Sequence, residues 1–111
     1  MTSVREITPD QLVARLSGPT EQRPLLLDVR WPQEHQYVAL PDSILIPLDE
    51  LEERVSELDR FRGRQLVVYC HHGVRSLTGA SICTAHGLDA VSLQGGIHLW
   101  ACDIDPPMPR Y

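Results

Sequence analysis

A chain of 111 residues has room for one ordinary domain and no second catalytic lobe, since domains commonly run from about 50 to about 200 residues. Its hydrophobic fraction of 42% is enough for a packed core without disulfides or metals. Fifteen acidic residues stand against ten basic ones, all of them Arg, and the net charge of -5 argues against nucleic acid as a partner.

Val4 to Ile7 reads as a short strand. Thr8, Pro9 and Asp10 then supply a cap, a first-turn proline and an early acid for a helix that carries Leu12, Val13 and Leu16 and ends near Ser17 and Gly18. Leu25 to Val29 is an apolar run interrupted only by Asp28, the pattern of a strand buried on both faces, and Ile44 to Ile46 repeats it. From Leu48 to Arg60 the residues Leu48, Leu51, Val55 and Leu58 fall on one helical stripe. Acids crowd the first turns of that helix and Arg60, Arg62 and Arg64 close it, as the helix dipole favours, so its charged side is a solvated face. Leu66 to Tyr69 makes another buried strand, Ser76 to His86 a helix stopped by Gly87, and Val91 to Leu93 a last strand. Unbroken apolar strands separated by helices predict an α/β fold over residues 1–111, a mostly parallel central sheet of about five strands with helices on both faces. Ligands bind beyond the carboxyl ends of such strands, so the chemistry is expected just after Asp28, Ile46, Tyr69 and Leu93.

The three cysteines, Cys70, Cys83 and Cys102, form no CxxC pair, and the first residues lack the apolar stretch of a secretory signal. No apolar run approaches the ~20 residues that span a bilayer. A cytoplasmic location without a membrane partner is expected, where cysteines are buried, metal-bound or reactive more often than paired.

One cysteine stands out. Cys70 ends a buried strand, Arg75 opens the next helix, and four residues separate them. A loop this short, with Gly73 free to take a conformation other residues avoid, can curl its backbone N–H groups inward as an anion-holding nest. Those donors and the positive end of the helix favour a thiolate, which makes Cys70 the expected nucleophile. The plain alternative, a small residue finishing a core strand, fits poorly with the polar, cationic and glycine-bearing run His71-His72-Gly73-Val74-Arg75-Ser76 that follows. His71 and His72 either line the loop mouth, where a protonated imidazole would favour anions, or simply face solvent. A metal site is not expected, because adjacent residues rarely aim three side chains at one ion and no second cluster completes four ligands. His35, His86 and His98 carry no such context. Cys83 reads as packing, and Cys102 as incidental or a resolving thiol.

In order along the chain, Leu26-Leu27-Asp28-Val29-Arg30, the loop from Cys70 to Arg75 with Ser76 after it, and Gly95-Gly96-Ile97 with Trp100 resemble the three signatures of single-domain rhodaneses, a sulfurtransferase family. The resemblance implies a rhodanese-like three-layer fold, no cofactor, and a sulfane sulfur accepted on Cys70 as a persulfide. It further implies that the backbone of His71 through Arg75 holds the sulfur or its parent anion, with a thiosulfate or persulfide donor and a thiol, cyanide or sulfur-carrier protein as acceptor. Asp28 and Arg30 would brace the loop or its ligands, or form an ordinary ion pair, while Gly95 and Gly96 would permit a tight turn against the cradle. Where the family usually has Gly-His-Ile before Pro-Gly, this chain has Val38-Ala39-Leu40 before Pro41-Asp42, so the connection there is expected to differ in shape. The closing segment from Asp105 to Tyr111 resembles the tail of rhodanese domains that serve sulfur-carrier pathways. Two rivals remain: a persulfide-carrying or regulatory module acting through a protein partner, and phosphate-ester or arsenate chemistry. Tyrosine phosphatases resemble this loop but place five residues between Cys and Arg, and the shorter ring suits a sulfur atom better than a tetrahedral phosphate.

Overall fold

The computed structural model describes residues 4–111. Five parallel strands form one sheet in the order β1-β5-β4-β2-β3: β1 Glu6–Ile7, β2 Leu25–Asp28, β3 Ile44–Leu45, β4 Leu66–Tyr69 and β5 Ala90–Leu93. The helices are α1 Pro9–Leu16, α2 Pro32–Tyr37, α3 Leu48–Arg54, α4 Arg75–Ala85 and α5 Gly96–Asp103, with 3-10 turns at Thr20–Gln22 and Val55–Phe61. No helix among the described residues is long and apolar enough to cross a membrane.

Side-chain alternation along the central strands builds two cores. Leu25, Leu27, Leu66, Val68 and Ala90 point to one face, where Leu51 of α3 and Ala80 and Cys83 of α4 cover them. Leu26, Val67, Tyr69, Val91 and Leu93 point to the other, against Leu12 of α1 and Ile97 and Trp100 of α5. Burying both faces explains why β2 and β4 read as unbroken apolar runs. The expected cap of α1 is a full capping box: Gln11 N–H donates to Thr8 Oγ1 at 3.2 Å, and Thr8 N–H to Gln11 Oε1 at 2.9 Å.

Three elements depart from the sequence reading. The helix expected from Leu48 to Arg60 is α-helical only to Arg54 and then tightens into a 3-10 segment, a stretch where Val55, Ser56, Asp59 and Phe61 are weak helix formers. Leu51 and Leu58 of the expected stripe are nonetheless fully buried. The unexpected α2 buries no residue, so it carries no apolar period; its signals are Pro32 in the first turn and Glu34, whose carboxylate accepts from Trp31 N–H at 3.0 Å. The unexpected α5 does carry a helical pattern, with Ile97, Trp100 and Ala101 buried. In the Val38–Asp42 connection, Asp42 takes φ 60 and Ser43 N–H donates to Leu40 O at 3.2 Å, closing a tight turn through Pro41. Asp tolerates the left-handed conformation better than most residues, so the turn closes without glycine.

Candidate active site

Cys70 follows β4 directly and is 1% exposed. Its Sγ accepts the backbone N–H groups of Gly73 at 3.2 Å and Ser76 at 3.3 Å. The Ser76 hydroxyl lies 3.5 Å from the sulfur and 2.8 Å from the Ser92 hydroxyl, and both serines are fully buried. A protonated Cys70 donates to Ser76 Oγ; an ionised one can accept from it. The first turn of α4 opens directly behind the sulfur and adds the positive end of its dipole. The donors are fixed before any negative charge develops, the preorganised arrangement that stabilises anionic sulfur.

The loop is shaped from behind by α5. Ile97 N–H donates to Cys70 O at 2.9 Å and His98 N–H to His71 O at 3.0 Å, so carbonyls are drawn towards α5 while N–H groups face the sulfur. This approach needs glycine. Gly96 has φ 62, and a Cβ there would overlap the carbonyl oxygens of Cys70 and His71; Gly73 has φ 93, and a Cβ there would lie 2.9 Å from Gly95 N. Gly96→Ala is therefore expected to destabilise the chain by about 1–3 kcal/mol from backbone strain, with the overlap in addition. Denaturation measured beside transfer activity checks this, and activity should fall more than the lost stability explains, because the loop must shift.

Arg75 is engaged by Glu34 of α2. Its guanidinium makes a two-bond pair with Glu34, at 2.8 and 3.0 Å, so its charge is answered within the fold. Glu34 also accepts from Tyr111 Oη at 2.6 Å, and Arg30 Nη1 donates to the same Tyr111 oxygen at 2.7 Å. Arg30 completes the chain with Nε and Nη2 on the two oxygens of Asp28, at 2.9 and 2.7 Å, both residues being fully buried. Asp28 and Arg30 are thus an ion pair that also joins, through Tyr111 and Glu34, the helix opening next to the Cys70 loop. The hydrogen bonds from Arg75, more than offsetting burial, hold the Glu34 carboxyl at about 2 instead of 4.5. A folded-state value below the unfolded one means that this stabilisation is complete above 4.5 and is lost as pH falls towards 2. Thermal melts of Glu34→Gln should lack that part of the acid destabilisation while the native chain retains it.

His71 stacks on Tyr111, with ring centroids 3.9 Å and planes 6° apart, and lies 3.9 Å from the His72 ring. Burial, and then the neighbouring His72, push its imidazole below the ordinary value. That runs against a protonated His71 favouring anions at neutral pH. Val74 is 72% exposed at the loop rim. Cys83 lies in the core between α4 and the sheet, where burial pushes its thiol up to about 11. Cys102 is exposed on α5.

A model of the rhodanese-like domain matches residues 8–102. The chain belongs to the rhodanese-like family. This rhodanese-like domain is 34% identical to the thiosulfate sulfurtransferase GlpE of Pseudomonas syringae, over 90% of each chain. It is 33% identical to a sulfurtransferase of Allochromatium vinosum, over 88% of this chain and 89% of that one. Among solved structures, a rhodanese-related protein from Thermoplasma volcanium superposes with a TM-score of 0.81 at 30% identity, over 96% and 99% of the two chains. The expected fold and family are as found, and the relatives' names support a sulfurtransferase of rhodanese type.

Several residues around the loop of this rhodanese-like domain escaped the sequence reading. Glu34 lies in the short α2, which carries no apolar period, and Tyr111 lies beyond the matched span, in a tail without helical or strand pattern. Ser92 follows the alternation of β5 and signals nothing by itself. His98, which has no motif around it in the sequence, is brought to His71 and His72 by the contact between α5 and the loop.

Proposed function

We propose that this domain moves a sulfane sulfur from thiosulfate or a persulfide donor to a thiophilic acceptor, with Cys70 holding the sulfur between the two steps. The observation that supports it best is the Cys70 sulfur seated on the N–H groups of Gly73 and Ser76. In the first step the Cys70 thiolate attacks the outer sulfur of thiosulfate. A new S–S bond forms, the old one breaks, and sulfite leaves with the electron pair. In the second, cyanide or a thiolate attacks the outer sulfur of the persulfide, the Cys70 thiolate departs, and thiocyanate or a new persulfide results. The Cys70 sulfur carries negative charge before the first step and regains it in the second, so the same donors hold both the attacking and the departing thiolate. The backbone of His71 through Ser76 forms the cradle, Gly95 and Gly96 allow α5 to close behind it, and Asp28 and Arg30 brace its flank.

Steady-state assays tell this reading from phosphate chemistry. Thiosulfate should be turned over with cyanide or a dithiol while an aryl phosphate is untouched; rapid phosphate release without thiosulfate turnover would select phosphate chemistry instead. The exposure of Val74 at 72% and Trp31 at 54%, residues next to Arg75 and Glu34, favours a second reading in which the acceptor is a protein. Transfer that proceeds only with a carrier protein, and not with small thiols or cyanide, would select it.

A further inference from the structure

Among the described residues one group of three metal-ligating side chains comes together, His71, His72 and His98, with a ring nitrogen of each within 4.8 Å of the other two. Ring centroids are 4.9 Å apart for His72 and His98 and 6.0 Å for His71 and His98. Nε2 of His71 and Nδ1 of His98 are buried without a hydrogen-bond partner, an uncommon state for buried polar atoms. A neutral imidazole nitrogen in need of a partner is also the commonest protein ligand for metals. The backbone sets up the cluster before any ion arrives. The His98 N–H to His71 O bond ties α5 to the loop, Gly96 allows that approach, and Tyr111 stacks on the His71 ring.

We propose that His71, His72 and His98 form a three-nitrogen site for a zinc-class divalent ion at the mouth of the loop, with a fourth position open to water beside the exposed His72. Nitrogens bound to zinc at ~2.0–2.1 Å in a tetrahedron lie about 3.4 Å apart, so the rings must close by roughly an ångström. His72, on the solvent side, is the ring free to turn. Three imidazoles without a carboxylate select zinc or its borderline neighbours over magnesium and calcium, which need oxygen ligands. Cys70 is not part of the set, because its sulfur is buried against backbone N–H groups. Cys102 Sγ lies 3.8 Å from His98 Nε2 and outside the three-histidine group, which makes it the competing ligand to exclude. This proposal does not depend on sulfur transfer.

Equilibrium dialysis against zinc chloride, followed by metal analysis, tests it on the native chain and on His72→Ala, His98→Ala, Cys102→Ser and Cys70→Ser. One zinc per chain is expected for the native chain and both cysteine variants, and affinity should drop by at least about tenfold in each histidine variant. Cobalt(II) in place of zinc should give visible d–d bands without a thiolate charge-transfer band. Failure of the native chain to hold zinc, undiminished binding in both histidine variants, or loss of zinc in either cysteine variant would overturn the assignment.

Discussion

Cys70→Ser is expected to abolish sulfur transfer, a loss of roughly three orders of magnitude or more, while leaving the fold in place. Serine differs from cysteine by one atom, and the N–H groups of Gly73 and Ser76 that meet the sulfur at 3.2 and 3.3 Å can meet a hydroxyl oxygen instead. The cavity therefore stays filled and its donors stay satisfied. The chemistry does not survive, because a serine hydroxyl remains protonated near neutral pH and its oxygen cannot replace the sulfur that carries the transferred atom. Turnover of thiosulfate with cyanide measures the loss, and a thermal melt shows that unfolding is not its cause. Appreciable transfer by the serine variant would assign the sulfur elsewhere.

The largest effect on stability is expected at Arg30, the largest of the fully buried side chains. Arg30→Met keeps most of the volume but leaves the Asp28 carboxylate, also fully buried, without its two-bond partner. Val38 O loses its 2.6 Å donor from Arg30, and Tyr111 Oη loses its 2.7 Å donor. What remains on Asp28 is the backbone N–H of residue 30, at 3.0 Å from Oδ1, and His35 Nδ1 at 2.8 Å on a partly exposed ring. Removing one member of a buried pair typically costs about 3–5 kcal/mol, a large share of the ~5–15 kcal/mol that holds a domain together. Removing both leaves no uncompensated charge, so Asp28→Leu with Arg30→Met should cost less than the two single losses summed. Chemical denaturation of the four proteins in that cycle measures the coupling. Additive losses would mean that the pair contributes through volume alone.

The parts of the molecule that were legible in the sequence are those whose physics is local. Apolar runs at Leu25–Asp28 and Leu66–Tyr69, the Thr8 cap and the Gly87 stop each need only a few neighbours to be read, and the strand ends located the loop. The cradle was legible for the same reason, since Cys70, Gly73 and Ser76 are close in sequence. What escaped were contacts made by folding. Glu34 and Arg75 are 41 residues apart, and Arg30 and Tyr111 are 81 apart. His98 joins His71 and His72 only because α5 packs its first turn against the loop. Arg75 shows the limit of reading a residue by type: its position at the helix start was as expected, but its charge is answered by Glu34.

Cys70 alone is expected to take up a sulfane sulfur. Burial holds the Cys83 thiol near 11, and Cys102 is exposed without a comparable cradle, so neither is expected to compete. Intact-mass analysis after thiosulfate exposure, followed by peptide mapping, measures where the sulfur goes. The expected result is a gain of one sulfur atom on the native chain, located at Cys70, removed by cyanide and absent from Cys70→Ser. No added sulfur with thiosulfate or with persulfide donors, or sulfur found on Cys83 or Cys102 instead, would contradict it.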